Sequence, residues 1–130
     1  MITALYASLA VLLILLLTAK VIKLRRKYQV SLGDGGHADL AGAIRAHGNA
    51  IEYIPLTLLL MLLLEMMDAS TLLIHLAGLS LLIGRLIHAN GLTRTVIGQR
   101  ILGMQITLFT IFVLVLLNII YFFMSVFTLQ

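Results

Sequence analysis

Four long apolar runs, separated by short polar connections, restrict this chain to a narrow range of folds. The runs cover approximately residues 2–22, 39–66, 69–90 and 97–128. A helix of about 20 apolar residues crosses a bilayer core, so each run is long enough to form one span. Backbone amides in lipid must be satisfied within a helix or a closed barrel, and continuous apolar runs lack the alternation of barrel strands. The sequence therefore predicts an all-α integral membrane four-helix bundle.

The composition supports a membrane protein with one domain. Hydrophobic residues make up 62% of the 130 residues, and the mean hydropathy is +1.13, whereas soluble domains are roughly half apolar. The length leaves no room for a second domain, so we expect a single membrane domain over residues 1–130. The chain contains no cysteine. This excludes disulfides, a protein thiol nucleophile and thiolate metal ligands.

The charged side chains are distributed unevenly over the connections. All nine basic residues flank the first or the third connection: Lys20, Lys23, Arg25, Arg26, Lys27 and Arg45, then Arg85, Arg94 and Arg100. The second connection contains Glu65 and Asp68 and no basic residue, and we expect it to be a solvated turn. By the positive-inside rule, the first and third connections are cytoplasmic and both termini lie on the non-cytoplasmic side. Because the cations adjoin apolar spans, membrane lipids and anionic ligands are the expected partners, and nucleic acid is not.

The segment RAHGNAIEYIP, residues 45–55, brings polar groups into the second span. Arg45, Asn49 and Glu52 follow i, i+4, i+7 spacing, which aligns them on one stripe of a helix. Ionised groups facing lipid tails are costly, so we expect the stripe to face protein or a wet cavity. Pro55 removes a backbone donor and is expected to open the helix beside Glu52. A ligand site and a structural polar network remain equally open from these residues alone.

A second polar set lies near the third connection. It consists of Arg85, His88, Asn90, Arg94 and Arg100. Arg25 and Arg26, at the end of the first span, are expected to join this set. Their guanidinium groups are predicted to converge with Glu52 at the cytoplasmic membrane boundary. Guanidinium forks suit carboxylate and phosphate ligands. A small zwitterion with more carboxylates than amines is therefore the predicted ligand.

Two histidines raise the alternative of a metal site. His47, His88 and Glu52 together offer two imidazoles and a carboxylate. However, the HExxH-type spacing is missing, and the i, i+5 spacing turns His47 away from the Glu52 face. We therefore expect no metal.

Three other features are interpreted as structural. His75 is expected to be a packing residue, and the stripe of Ala77, Ser80 and Gly84 is expected to form a close helix contact. The glycines of SLGDGG, residues 31–36, predict a tight turn. No GK[ST] follows them, so a phosphate loop is not the favoured interpretation.

Several of these segments resemble one known family. RAHGNAIEYIP is similar to the signature of the membrane-associated proteins in eicosanoid and glutathione metabolism, the MAPEG family, in which an Arg, an Asn, a Glu and a Pro recur at this spacing. LRRKYQVS before the turn resembles the basic segment that follows the family's first helix. GRLIHANGL followed by RILGM is similar to its small bacterial inner-membrane branch. The resemblance implies a homotrimer in which glutathione binds between neighbouring protomers near the cytoplasmic side.

Residue roles follow from this resemblance. It implies that the following residues bind glutathione as the co-substrate: Arg25, Arg45, Asn49, Glu52, Tyr53 and His88. It also implies two catalytic arginines, Arg100 stabilising the glutathione thiolate and Arg26 assisting at the second substrate. Some family members carry tyrosines where this chain has His88 and Leu92. Leu92 cannot donate a hydrogen bond, whereas His88 is expected to replace a phenol as a donor.

The leading prediction is a multi-pass bacterial inner-membrane protein that acts as a glutathione transferase or peroxidase on small apolar electrophiles. The thiol has a pKa of about 8.5, so it needs a nearby cation to become an effective thiolate at neutral pH. A non-catalytic lipid or small-ligand binding protein on the same scaffold is the alternative. A structural module whose polar stripe stabilises a trimer is a third reading.

Overall fold

The computed structural model describes residues 1–128 and consists of four helices joined by short connections. The helices are α1 (Thr3–Tyr28), α2 (Ala38–Met66), α3 (Thr71–Thr93) and α4 (Ile97–Thr128). All four are long and apolar enough to cross a membrane. Even the shortest, with 23 residues, extends roughly 35 Å at 1.5 Å per residue. The predicted all-α four-helix membrane fold is confirmed, and the last two residues of the predicted domain lie outside the described part.

The observed helices extend the predicted spans at the polar ends. α1 continues beyond the predicted boundary at residue 22 to Tyr28, and α3 continues beyond residue 90 to Thr93. Basic and polar side chains at helix ends extend into the headgroup region, so a helix continues where hydropathy falls. α2 runs through Pro55 as one helix, so the opening that Pro55 was expected to cause beside Glu52 does not interrupt the helix.

The packing makes α2 and α3 the central pair. Each of them contacts all the other helices, whereas α1 and α4 do not contact each other within residues 1–128. Large apolar side chains on the free faces of α1 and α4 are exposed, among them Leu12, Leu16, Phe109 and Phe112. Lipid tails or a neighbouring protein surface must cover such faces.

The two ends of the bundle differ in charge. The basic end carries the connection 29–37 and the connection 94–96; the acidic end carries the connection 67–70 and the start of α1. Backbone contacts join the elements of the basic end, where the start of α2 at Gly42 lies against the carbonyl of Leu92. The two basic connections therefore share one side of the bundle, as the charge pattern predicted.

The first connection is held by side chains that precede and follow it. Arg25 Nη1 donates to the carbonyl of Gly33 at 3.0 Å, and the Tyr28 ring stacks on His37 with a centroid distance of 3.8 Å. Within SLGDGG, Asp34 Oδ1 accepts from the Gly36 N–H at 2.9 Å, so the predicted turn is confirmed. These contacts fix the path of the chain between α1 and α2.

The acidic end contains a contact that the sequence did not predict. Glu65 of α2 accepts hydrogen bonds from the backbone N–H groups of Ile2 and Thr3, and its carboxylate lies 4.0 Å from the Met1 amine. The first N–H groups of a helix lack intrahelical partners, and no side chain of α1 itself caps them. Glu65 is therefore a capping group with only 15% of its side chain exposed. The predicted solvated turn is wrong for Glu65, whereas Asp68 is exposed as expected.

The predicted small-residue contact is formed between α3 and α4. Ser80 Oγ lies 2.6 Å from Thr110 Oγ1, and Gly84 leaves no room for a Cβ beside Thr107. His75 Nδ1 is hydrogen-bonded to the Tyr6 hydroxyl at 2.9 Å, so its prediction as a packing residue is also confirmed. Both sets of contacts tie α3 to its neighbours along its length.

Candidate ligand-binding site

A cavity of about 400 Å³ opens at the basic end between α2, α3 and α4. We call it the main cavity. It is lined by polar and apolar side chains from the three helices: Arg45, Asn49, His88, Leu92, Arg100, Ile101, Met104, Gln105 and Leu108. Its size lies within the range of small-molecule sites.

One part of the wall of the main cavity is cationic and another part is apolar. Arg45 and Arg100 are both exposed, so their guanidinium groups are free to meet an anionic ligand. The apolar wall comes from α4, chiefly Ile101, Met104 and Leu108. An amphipathic ligand, or an anion beside an apolar molecule, matches this division.

A smaller side cavity of about 160 Å³ adjoins the same stripe of α2. Arg45 and Asn49 line both cavities, and Glu52 lines the side cavity together with Ile44 and Gly48. The structure therefore brings the predicted stripe of Arg45, Asn49 and Glu52 to one wall. Glu52 is exposed on the surface of the single chain.

Arg85 lies inside the bundle rather than at the ligand boundary. Only 2% of this residue is exposed. Its Nη1 donates to Asn49 Oδ1 at 2.7 Å, and its Nε donates to Thr107 Oγ1 at 2.9 Å. The Tyr53 ring faces the guanidinium at 5.4 Å from its centroid. The expectation that Arg85 converges on the ligand boundary is therefore wrong, because neutral groups of α2 and α4 enclose its guanidinium.

The bond from Arg85 fixes the orientation of the Asn49 amide. Since a guanidinium only donates, the atom bonded to it must be the amide oxygen. The two N–H donors of the amide are then left for the walls of the cavities that Asn49 lines. Sequence reasoning found Asn49 but missed this support, because Arg85 is 36 positions away and pairs with it only after α2 and α3 pack.

His88 is 5% exposed and joins α3 to α4. Its Nδ1 lies 2.9 Å from the backbone carbonyl of Arg100. A carbonyl only accepts, so Nδ1 carries a proton and donates it. The ring thus connects the main cavity to the first turn of α4, from which the Arg100 side chain projects.

Two glycines permit this close approach of α3 and α4. A Cβ at Gly91 would meet the backbone of Arg100, and a Cβ at Gly103 would meet the backbone of His88. Asn90 Nδ2 adds a hydrogen bond of 2.6 Å to Gln99 Oε1 across the same junction. The position of Arg100 relative to the cavity is therefore set by backbone contact.

The remaining predicted residues lie elsewhere in the single chain. Arg25 and Arg26 line a separate cavity of about 380 Å³ at the end of α1. Arg25 also holds the carbonyl of Gly33, and Tyr53 packs against Arg85. Their predicted ligand roles stay predictions.

The two histidines considered for a metal point to different partners. His47 Nε2 bonds to Thr18 Oγ1 of α1 at 2.9 Å, whereas His88 bonds to the carbonyl of Arg100. Within residues 1–128, the His, Asp and Glu side chains form no group of three suited to a metal ion.

Four apolar helices with a cation-lined cavity at one end define a multi-pass integral membrane protein with a candidate small-molecule site. The MAPEG family model matches residues 3–120, and the chain belongs to this family. It is 44% identical over 121 residues to Inner membrane protein YecN of Escherichia coli K12, covering 93% of this chain and 92% of that protein. The same values hold for Inner membrane protein YecN of Escherichia coli O6:H1, strain CFT073. The predicted family and the predicted localisation, a multi-pass protein of a bacterial inner membrane, are thereby confirmed.

Proposed function

We propose that this protein is a membrane-embedded glutathione transferase or glutathione-dependent peroxidase that acts on apolar electrophiles. The observation that carries the proposal is the main cavity, in which Arg45, Asn49, His88 and Arg100 face an apolar wall from α4. Membership of the MAPEG family supports a glutathione-related activity. The two halves of the cavity match the two reactants, one anionic and one apolar.

Charge complementarity supports glutathione as the polar ligand. Glutathione carries two carboxylates and one ammonium group at neutral pH. Arg45 and Arg100 offer guanidinium donors, and the Asn49 amide offers two more N–H groups. Glu52, on the side cavity that shares Arg45 and Asn49, offers a carboxylate for the ammonium group. Bidentate pairing of guanidinium and carboxylate groups is among the stronger hydrogen-bonded contacts in proteins.

The chemistry requires a thiolate rather than a thiol. A thiol with a pKa of about 8.5 is mostly protonated at neutral pH. A fixed cation near the sulfur favours the charged form, and Arg100 supplies that cation beside the apolar wall. An apolar electrophile dissolved in the bilayer then reaches the thiolate without crossing water. Attack on carbon gives conjugation, and attack on a hydroperoxide gives reduction.

We further propose that three protomers complete the site and that its basic end faces the cytoplasm. Glu52 is exposed on α2 within a membrane span, where an ionised group facing lipid is costly. A neighbouring protomer that covers this face removes the cost. Arg25 and Arg26 lie on the α1 side of the same end, away from the main cavity. In a homotrimer they are available to a neighbour's cavity, Arg25 for a carboxylate and Arg26 for the second substrate.

The decisive experiment is calorimetric titration of detergent-solubilised protein with glutathione. We expect saturable binding by the wild type and at least tenfold weaker binding by Arg45→Ala, since a lost charged hydrogen bond costs about 1.5–3 kcal/mol. Arg94→Ala is the matched control, because Arg94 is an exposed arginine outside the lining of the main cavity. A well-folded wild type that does not bind glutathione would overturn the proposal.

A non-catalytic ligand-binding role is the second candidate, and a second cavity favours it. This cavity, of about 260 Å³, lies between α3 and α4 and is lined almost entirely by apolar side chains, including Leu73, Leu76 and Phe109. Assays with a panel of apolar electrophiles and hydroperoxides separate the two candidates. Glutathione binding without turnover of any of them would favour the binding protein over the enzyme.

A further inference from the structure

His88 has one ring nitrogen that no other group of the described chain uses. Nδ1 donates to the Arg100 carbonyl at 2.9 Å. Within residues 1–128, no backbone or side-chain group hydrogen-bonds Nε2. The only fully occluded side-chain nitrogen or oxygen without a partner in the described chain is Thr3 Oγ1, so Nε2 must retain accessible surface. His88 lines the main cavity, and from this we infer that Nε2 faces it.

The hydrogen bond at Nδ1 fixes the chemistry at Nε2. A neutral imidazole carries one proton, and here the Arg100 carbonyl holds it on Nδ1. Nε2 is then a lone-pair acceptor on a residue that is 5% exposed. The prediction that His88 donates in place of a phenol applies to the charged ring, which carries a second N–H at Nε2. A neutral His88 receives a hydrogen bond or a proton from the ligand.

The charged groups around the ring are all cations. Arg85 lies one turn earlier on α3, Arg100 is on α4 and Arg45 is across the cavity on α2; no charged group of α1 lines the cavity. These cations compensate an anion that forms in the cavity. They do not remove a proton, since guanidinium groups stay protonated in proteins. A thiol that ionises here needs a separate acceptor for its proton.

We propose that His88 Nε2 is the acceptor of the glutathione thiol proton, an inference that rests on the proposed function. The S–H bond breaks, an Nε2–H bond forms, and the thiolate and imidazolium remain together in the cavity with Arg100 beside the sulfur. With an α,β-unsaturated carbonyl as electrophile, the thiolate forms the new S–C bond and the C=C π electrons move to the enolate. The imidazolium then returns its proton to the enolate carbon, and His88 is neutral again.

Counting protons distinguishes this mechanism from stabilisation by Arg100 alone. If His88 keeps the proton, binding generates thiolate without releasing an equal number of protons to the solution. If only cations stabilise the thiolate, each thiolate formed releases one proton. Thiolate is measured by its ultraviolet absorbance, and protons by an indicator dye in weakly buffered detergent solution near neutral pH. S-methylglutathione, which has no thiol proton, is the ligand control.

Two substitutions test the role of Nε2 as proton acceptor separately from the hydrogen bond between Nδ1 and the Arg100 carbonyl. In His88→Asn, the amide nitrogen occupies the place of Nδ1 and donates to the Arg100 carbonyl, but no atom replaces Nε2. In His88→Gln, the amide group reaches the place of Nε2, but its weakly basic oxygen does not hold a proton. We expect both variants to retain saturable glutathione binding through Arg45 and Asn49, which the calorimetric titration measures. Their kcat should fall about 10²-fold or more, as general-base loss does.

The outcomes are distinct. Two results together support the inference. The wild type forms thiolate and releases few protons, whereas His88→Asn either forms no thiolate or releases one proton per thiolate. Three results would overturn the inference but leave the proposal of glutathione binding intact. They are one released proton per thiolate in the wild type, glutathione binding without thiolate formation, and identical proton counts in the wild type and both variants. No glutathione binding by the folded wild type overturns the proposed function and this inference together. Melting temperatures identify a variant that fails to fold, and the other variant then decides.

Discussion

The basic and acidic ends of the bundle place polar side chains on the same helices but use them differently. At the acidic end, Glu65 caps α1 and His75 bonds to Tyr6, so these groups contact other parts of the chain. At the basic end, Asn49 and His88 each make a hydrogen bond within the bundle and also line the main cavity. The basic end therefore places these polar side chains on the wall of a cavity that exposed arginines also line.

The apolar packing also differs between the two ends. The cluster of the acidic end is made of large side chains, Tyr6, Met61, Leu64, Ile74 and Leu114. The cluster toward the basic end includes several alanines, Ala10, Ala46, Ala50 and Ala89. The buried side chains toward the basic end are therefore smaller on average than those of the acidic end.

The largest expected effect is the loss of turnover in Arg100→Ala. We expect kcat to fall about 10²–10³-fold, the usual cost of removing one donor aimed at a developing anion. Arg100→Lys keeps a cation and should retain part of the activity, whereas Arg94→Ala should retain all of it. Steady-state kinetics with an apolar electrophile provides the measurement. Equal turnover in wild type and Arg100→Ala would remove the catalytic role.

Arg85→Ala should destabilise the protein by about 2–5 kcal/mol, the range for truncating a large buried side chain. The substitution leaves a cavity beside Tyr53 and deprives the Asn49 oxygen of its donor. Reversible unfolding in mixed detergent micelles measures the change. Glutathione affinity should fall as well, because the Asn49 amide is no longer oriented. A stability loss with unchanged affinity would contradict the positioning of Asn49 by Arg85.

Glu65→Ala tests the acidic end directly. It removes the acceptor for two backbone N–H groups at the start of α1, and we expect a loss of about 1–2 kcal/mol, similar to other lost caps. Glutathione affinity should not change, since Glu65 lies at the opposite end of the bundle. Weaker glutathione binding, with the oligomer intact, would break the comparison between the two ends.

The smallest expected effect is that of Tyr6→Phe. The substitution removes the hydrogen bond to His75 and keeps the ring that packs against Gly78. Hydrogen bonds between helices in membranes contribute about 0.6 kcal/mol on average. The same unfolding assay should detect a loss near that value, with turnover unchanged. A larger loss would show that the acidic end depends on this polar contact more than on its apolar packing.

Hydropathy and spacing were sufficient for the spans and for part of the site. The four spans follow from local composition, and the stripe of Arg45, Asn49 and Glu52 follows from the helical repeat. Glu65 and Arg85 were interpreted wrongly for a common reason. Each is a charged residue near the polar end of a span, where exposure is the usual expectation, and each is enclosed by segments distant in the sequence.

The sequence by itself determined the number of spans, the charge difference between the two ends and the family, because each depends on composition or on short motifs. Only the tertiary structure decided which atoms face the cavity. Asn49 and Arg85 are paired by the packing of α2 on α3, and the His88 ring is oriented by a carbonyl of α4. Hydrogen bonds are directional and short in range, so their partners are defined only once the helices have packed.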